Sequence, residues 1–268
     1  MTTESENNLK WQQILELIGK SNFFDPPSLF AKTLSETLPI GERIIDIGCG
    51  TGVIGLYCLL HRQAQLVTFS DILVEAIVET YENLNKLIEY EKIFKSHGFI
   101  ERERIFKSKI GGYELGSFDR IPLSVISEHS ILAFNPPQLP TDHVTQKYRD
   151  EVEKSGTNSI FRLAGPDGLK VSDKFFEWYA KLQNPKPKAI ILLSSFLGQS
   201  RIVKAISSHG LKANFLHETI IDLRPQLVDS ANKFYDNEEE RNDRSIIKNG
   251  DIWQKKLFTI SLENDRNA

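Results

Sequence analysis

Apolar positions along the chain alternate between short dense runs and stripes at helical spacing. Arg43-Ile44-Ile45-Asp46-Ile47 is dense enough for a buried strand, and past a glycine cluster Val53–Leu60 predicts a helix. Leu66–Phe69 is a second short strand, closed by Ser70-Asp71. After it Val74, Ile77, Val78, Tyr81, Leu84 and Ile88 recur at helical spacing. Strand, turn, helix, strand, helix predicts a parallel sheet. Further strands are expected at Arg104–Lys107, Ser130–Phe134, Lys188–Leu193, Thr219–Leu223 and Leu257–Leu262, seven in all, with helices over Ser172–Leu182 and Gln199–Ser208. The polar stretch Asp236–Gly250 predicts a solvated loop before the last strand. Ahead of residue 43, Leu9, Trp11, Ile14, Leu15, Leu17 and Ile18 form an apolar helical face, which Phe23-Phe24-Asp25-Pro26-Pro27 breaks. Residues 1–42 are thus expected as a helical arm and residues 43–268 as one α/β domain.

Composition narrows the class without naming a function. With 40% hydrophobic and 26% charged residues over 268 positions, the chain is ordinary globular material, which excludes disordered, collagenous and disulfide-scaffold classes. No apolar run approaches the ~20 residues that span a bilayer, and Met1–Lys10 is polar, so the expected compartment is the cytoplasm, with no membrane partner. Cys49 and Cys58 read as reduced thiols. A net charge of −3 disfavours coating of phosphate backbone through global charge.

The strand ending at Asp46-Ile47, the cluster Gly48-Cys49-Gly50-Thr51-Gly52 and the following helix form one device. Backbone amides and a helix N-terminus stand where an anionic or polar group can approach without Cβ interference. Gly50, Gly52 and Gly55 also satisfy the dinucleotide fingerprint, and Asp71 lies about 20 residues on, so a nicotinamide cofactor stays open on this motif alone. The second device is Asn135-Pro136-Pro137-Gln138. Proline donates no ladder hydrogen bond, so the chain must leave the sheet after Phe134, at the strand end where open α/β sheets bind ligands. There Asn135 can hold a substrate amino group through its side-chain oxygen while the Pro136 carbonyl accepts a second hydrogen. That is catalysis by orientation, with no strong base.

Together, the acid-glycine pattern from Asp46 to Gly52 and the Asn-Pro-Pro tetrapeptide resemble the class I S-adenosylmethionine-dependent methyltransferases of the Asn-Pro-Pro amino-methyltransferase superfamily. Pro26-Pro27, Ser70-Asp71-Ile72 with Ala76 and Asn83, and Ala164-Gly165-Pro166-Asp167-Gly168-Leu169 are similar to its HemK-like branch, which methylates glutamine in release factors and ribosomal proteins. The resemblance implies a Rossmann-like, mostly parallel seven-stranded sheet with an antiparallel last strand and helices on both faces. It implies S-adenosylmethionine held by Gly48, Gly50, Gly52 and Asp71, with Asp71 on the ribose hydroxyls and Asp46 shaping or contacting the amino-acid end. Asn135 and Pro136 would hold the acceptor nitrogen, Asn135 standing beside the cofactor as well, and Gln138 would select what lies against it.

The departures bear on the substrate. Gln138 stands where the family has a stacking aromatic, Ala164 replaces the first glycine of the second motif, and the strand at Ile190–Leu193 ends in Ser194-Ser195 in place of an acid. The expected acceptor is accordingly a planar amide or amine on a small molecule or protein side chain. An exocyclic amine of nucleic acid, a non-catalytic binding module and a nicotinamide-dependent reductase are the alternatives. No metal is expected, because His61, His97, His129, His143, His209 and His217 show no ligand spacing. His143, with Asp142, Lys147, Tyr148 and Arg149, belongs either to a lid loop or to a solvated helix start.

Overall fold

The computed structural model describes residues 26–60, 64–94, 109–144, 146, 148, 150, 164–183 and 185–265. The chain divides into two compact units, residues 1–134 with 185–187 and residues 135–184 with 188–268. The apolar face expected around Trp11, the aromatics Phe23-Phe24 and the strand expected at Arg104–Lys107 all lie outside the described residues.

In the first unit α1 (Pro26–Thr37) precedes β1 (Glu42–Ile47), α2 (Val53–Leu60), β2 (Ala64–Asp71), α3 (Val74–Phe94), β3 (Ile110–Leu115), α4 (Leu123–Ser127) and β4 (Ile131–Phe134). The four strands run parallel in the order β3-β2-β1-β4, with Asp46 level with Phe69 on one side and Ala133 on the other. Ile44, Ile45, Val67, Phe69, Leu132 and Ala133 are all buried, as the runs of β-branched and aromatic residues require of inner parallel strands. Gly55 lets α2 lie close on β2: a Cβ there would stand 2.5 Å from a ring carbon of Phe69. Pro26-Pro27 opens α1, because proline is tolerated in a first turn whose N–H groups have no helical partner. Phe30, Ala31 and Leu34 bury its inner face.

The second unit carries α5 (Lys170–Lys181), β5 (Lys188–Ser194), α6 (Gln199–Ser207), β6 (Leu211–Asp222), α7 (Val228–Tyr235), α8 (Glu238–Asp243), β7 (Ile247–Asn249) and β8 (Ile252–Asn264). Here β8 lies antiparallel between β5 and β6, and β7 pairs with its first residues. The fold is α/β and Rossmann-like as expected, with parallel strands followed by antiparallel ones. Eight strands are present among the described residues, and β3 and β7 are not among the expected ones.

Asp236–Gly250 is the clearest correction. It is not a bare solvated loop but holds α8 and β7. Asn237 caps α8 by accepting from the amides of Glu239 and Glu240, and Glu238, Glu239 and Glu240 sit in the first turn, where the helix dipole favours acids. Arg244, 2% exposed, ties the segment down from inside. Its Nε donates to Glu240 at 2.7 Å, its Nη1 donates to the Phe196 carbonyl, and its guanidinium lies 4.0 Å from the centre of the Phe234 ring. A core of Leu139, Val144, Tyr148, Phe196, Leu223, Leu227, Ala231, Ile246 and Trp253 packs the segment between β6 and β8 against the loop that follows Gln138.

Candidate functional site

The first group of candidates, in the first unit, is the turn after β1. Gly48, Gly50 and Gly52 have φ of 63°, 55° and 75°, left-handed values that cost other L-residues about 1–2 kcal/mol each. The turn is tied to the end of β2: the Cys49 N–H donates to the Ser70 carbonyl at 3.0 Å and the Gly50 N–H to Asp71 Oδ2 at 2.9 Å. It is tied to α3 as well. Thr80 Oγ1 donates to the Gly50 carbonyl and Asn83 Nδ2 to the Thr51 carbonyl, each at 3.0 Å. Thr80 and Asn83 are fully buried. Thr80 was not singled out from sequence; its signal is a polar residue on the inward face of an otherwise apolar stripe.

Asp71 is nearly buried, and its second oxygen accepts from the Leu73 N–H at 3.0 Å, so it opens α3 while fastening the glycine turn. Each carboxylate oxygen retains a further lone pair for a hydroxyl donor. A Cβ at Gly50 would meet nothing within 4 Å, so this stretch of backbone can be approached by a ligand. Both features fit the ribose and amino-acid ends of S-adenosylmethionine.

Asp46 is wholly buried. Its Oδ2 accepts from the Gly55 N–H at 2.9 Å, while Oδ1 has no partner among the described residues. Burial pushes its carboxyl up from 3.8 to about 7; the Gly55 N–H opposes the shift and the charge of Asp71 adds to it. The folded protein therefore holds a proton that the unfolded chain releases near 4. The stability this contributes is complete at acid pH and is lost as pH rises through about 7. Asp46→Asn keeps an acceptor for Gly55 and carries no charge. Between about pH 5 and pH 8 its melting temperature is expected to gain on that of the wild type, by differential scanning fluorimetry, and a constant difference across that range would contradict the assignment.

A second group of candidates, in the second unit, begins one residue beyond β4, whose Phe134 is level with Ile47 of β1. Asn135 is half-buried, and Pro136 is buried. Gln138 does not present a free amide. Its Nε2 donates to the Leu192 carbonyl at 3.2 Å and to Asn135 Oδ1 at 3.4 Å, and its Oε1 accepts from the Ser194 N–H at 2.6 Å. The two motifs singled out in this part of the chain meet through backbone: Ala164 N–H donates to the Leu139 carbonyl at 3.0 Å and Thr141 N–H to the Gly165 carbonyl at 2.8 Å. Gly168, with φ of 82°, is required at this approach, since a Cβ there would lie 2.8 Å from the Gln138 carbonyl oxygen.

The remaining candidates have structural partners. Asp167 accepts from the Leu169 N–H at 3.0 Å, as a turn residue before α5. The His143 ring packs edge-on to Phe234 and Phe196, its carbonyl accepts from Ser230, and burial pushes its imidazole pKa down. Lys147 and Arg149 lie outside the described residues. Ser195 Oγ accepts from the Lys256 N–H and Ser194 Oγ from that of Phe196, so both serines fasten the end of β5. No group of side chains suited to a metal ion occurs among the described residues, and no helix among them is long and apolar enough to cross a membrane.

Residues 22–106 match the model of the Methyltransferase small domain family. That segment is similar to a methyltransferase domain, in line with the expected enzyme class and cofactor. The chain is also similar to ribosomal RNA large subunit methyltransferase G of Pseudoalteromonas translucida (strain TAC 125), 25% identical over 154 residues. That match covers 56% of this chain and only 37% of the relative's length. Among solved structures it resembles PH1948 of Pyrococcus horikoshii, assigned as an RNA methyltransferase, with TM-score 0.47 and 15% identity over 89% of this chain and 82% of the other. It also resembles P. horikoshii TYW2 in complex with MeSAdo, with TM-score 0.46 and 8% identity over 91% of this chain and 65% of the other.

Proposed function

We propose that the chain transfers a methyl group from S-adenosylmethionine to a planar nitrogen on a protein side chain or small molecule, with glutamine-type amides as the leading acceptor class. The observation that carries this reading is the left-handed glycine turn fastened to Asp71, followed along the chain by Asn135-Pro136 directly after β4. Gly48, Gly50 and Gly52 hold the amino-acid end of the cofactor, Asp71 accepts from its ribose hydroxyls, and Asp46 supports the turn from below. When bound, the cofactor supplies a methyl group already activated on sulfonium. Asn135 Oδ1 and the Pro136 carbonyl accept the hydrogens of the acceptor nitrogen, which turns its lone pair toward the methyl group and needs no strong base. Backbone pairing of Leu139 with Ala164 and of Thr141 with Gly165 supports the HemK-like comparison, because it joins that branch's second motif to the acceptor loop.

A second reading, an exocyclic amine of RNA, is favoured by the name of the ribosomal RNA relative. Radiolabelled methyl transfer from S-adenosylmethionine into a source-cell extract, separated into protein, RNA, DNA and small-molecule fractions, distinguishes the two. Label in protein or small molecules supports the first reading; label confined to RNA supports the second. No incorporation, together with a rise in melting temperature by NADH and none by S-adenosylhomocysteine, would overturn both in favour of a reductase.

A further inference from the structure

We propose that Gln138 is a positioning residue that fixes the orientation of the Asn135 amide from an anchor at the end of β5. Both hydrogens of its NH2 group are spent inside the protein, one on the Leu192 carbonyl and one on Asn135 Oδ1, and its oxygen is met by the Ser194 N–H. An amide so occupied on both ends has no hydrogen left to recognise an acceptor. Pro136 and Pro137 fix φ in the intervening backbone, which leaves the side chains of Asn135 and Gln138 as the main rotors of the turn. The backbone of Gln138 is itself closed off by Gly168, which approaches too closely for any Cβ.

An asparagine amide can present its oxygen or its nitrogen in either of two flipped states. A donor on one side selects the state with oxygen toward it, and Gln138 Nε2 is that donor. The remaining lone pair of Asn135 Oδ1 is then held in one direction, ready to accept an N–H. This inference rests on the proposed role of Asn135 and deepens it. An aromatic at position 138 would contribute a flat face; glutamine contributes control of its neighbour.

Gln138→Glu and Gln138→Met separate positioning from plain support. Glutamate still accepts from Ser194 but offers no hydrogen, so Asn135 flips to present its NH2 and the nitrogen loses its acceptor. Methionine loses every hydrogen bond yet leaves Asn135 free to sample both states. Methyl transfer into extract is therefore expected to fall about a hundredfold in Gln138→Glu and only about tenfold in Gln138→Met, with the S-adenosylhomocysteine-induced rise in melting temperature kept in both. A purely supporting role reverses the ranking, since methionine removes more bonds, and that reversal would overturn the inference. On the unaltered protein, the Gln138 side-chain NH2 protons are expected to exchange slowly with solvent by NMR; rapid exchange would overturn it as well. Wild-type turnover in Asn135→Ala would instead sink the functional reading itself, whatever the Gln138 variants do.

Discussion

Asn135→Ala is expected to reduce methyl transfer by about a hundredfold or more while leaving S-adenosylhomocysteine affinity within about twofold of wild type. The separation follows from where each task is anchored. The glycine turn is held by Ser70, Asp71, Thr80 and Asn83, all in the first unit, whereas Asn135 opens the second and is held by Gln138. Alanine at 135 deletes the acceptor proposed for the substrate nitrogen and leaves the fastening of the turn intact. Radiolabel incorporation measures the first effect and isothermal titration the second. Parallel loss of both would contradict this division, and so would unchanged turnover.

Gly52→Ala is expected to act on the opposite side of the ledger, removing most cofactor binding and about 2–3 kcal/mol of stability. At φ of 75° an alanine is strained, and its Cβ would stand 2.7 Å from Thr80 Cγ2 and 3.1 Å from Thr80 Oγ1. Thr80 must move, and with it goes the bond to the Gly50 carbonyl that holds the turn against α3. Gly50→Ala is the informative companion. It bears similar backbone strain at φ of 55° but would meet nothing within 4 Å, so it should cost less stability while still obstructing the approach of a ligand. Chemical denaturation and S-adenosylhomocysteine titration of the two variants measure this; equal stability losses would contradict the role given to Thr80.

The parts of this chain that sequence made legible are those enforced by local chemistry. Three glycines between an apolar run and a helix leave little choice but a left-handed turn, and Pro136-Pro137 ends β4 in any fold. Misread parts depended on partners far away or on competing signals. Arg241, Asn242, Asp243 and the three preceding glutamates suggest solvation, yet Arg244 is buried on Phe234, and only the packed structure reveals it. β3 contains Gly111-Gly112, which hides it from a search for β-formers. β6 begins at Leu211, eight residues before the apolar run that marks it, because its outer positions are polar. The identity of Gln138 was plain, but its partners Leu192 and Ser194 lie 54 and 56 residues away.

Cys49 and Cys58 are both free thiols, one inside the glycine turn and one in α2, and burial pushes each thiol far above its usual range. Alkylation requires thiolate, so both are silent in the closed protein. They are silenced at different depths. Cys49 sits 3.4 Å from Thr80 Oγ1, so parting the turn from α3 unmasks it, whereas Cys58, fully buried, waits for the core of the first unit to come apart. The protein thus carries two native clocks, one for the loosening of its turn and one for its unfolding, and a ligand that grips the turn would slow the first in excess of the second.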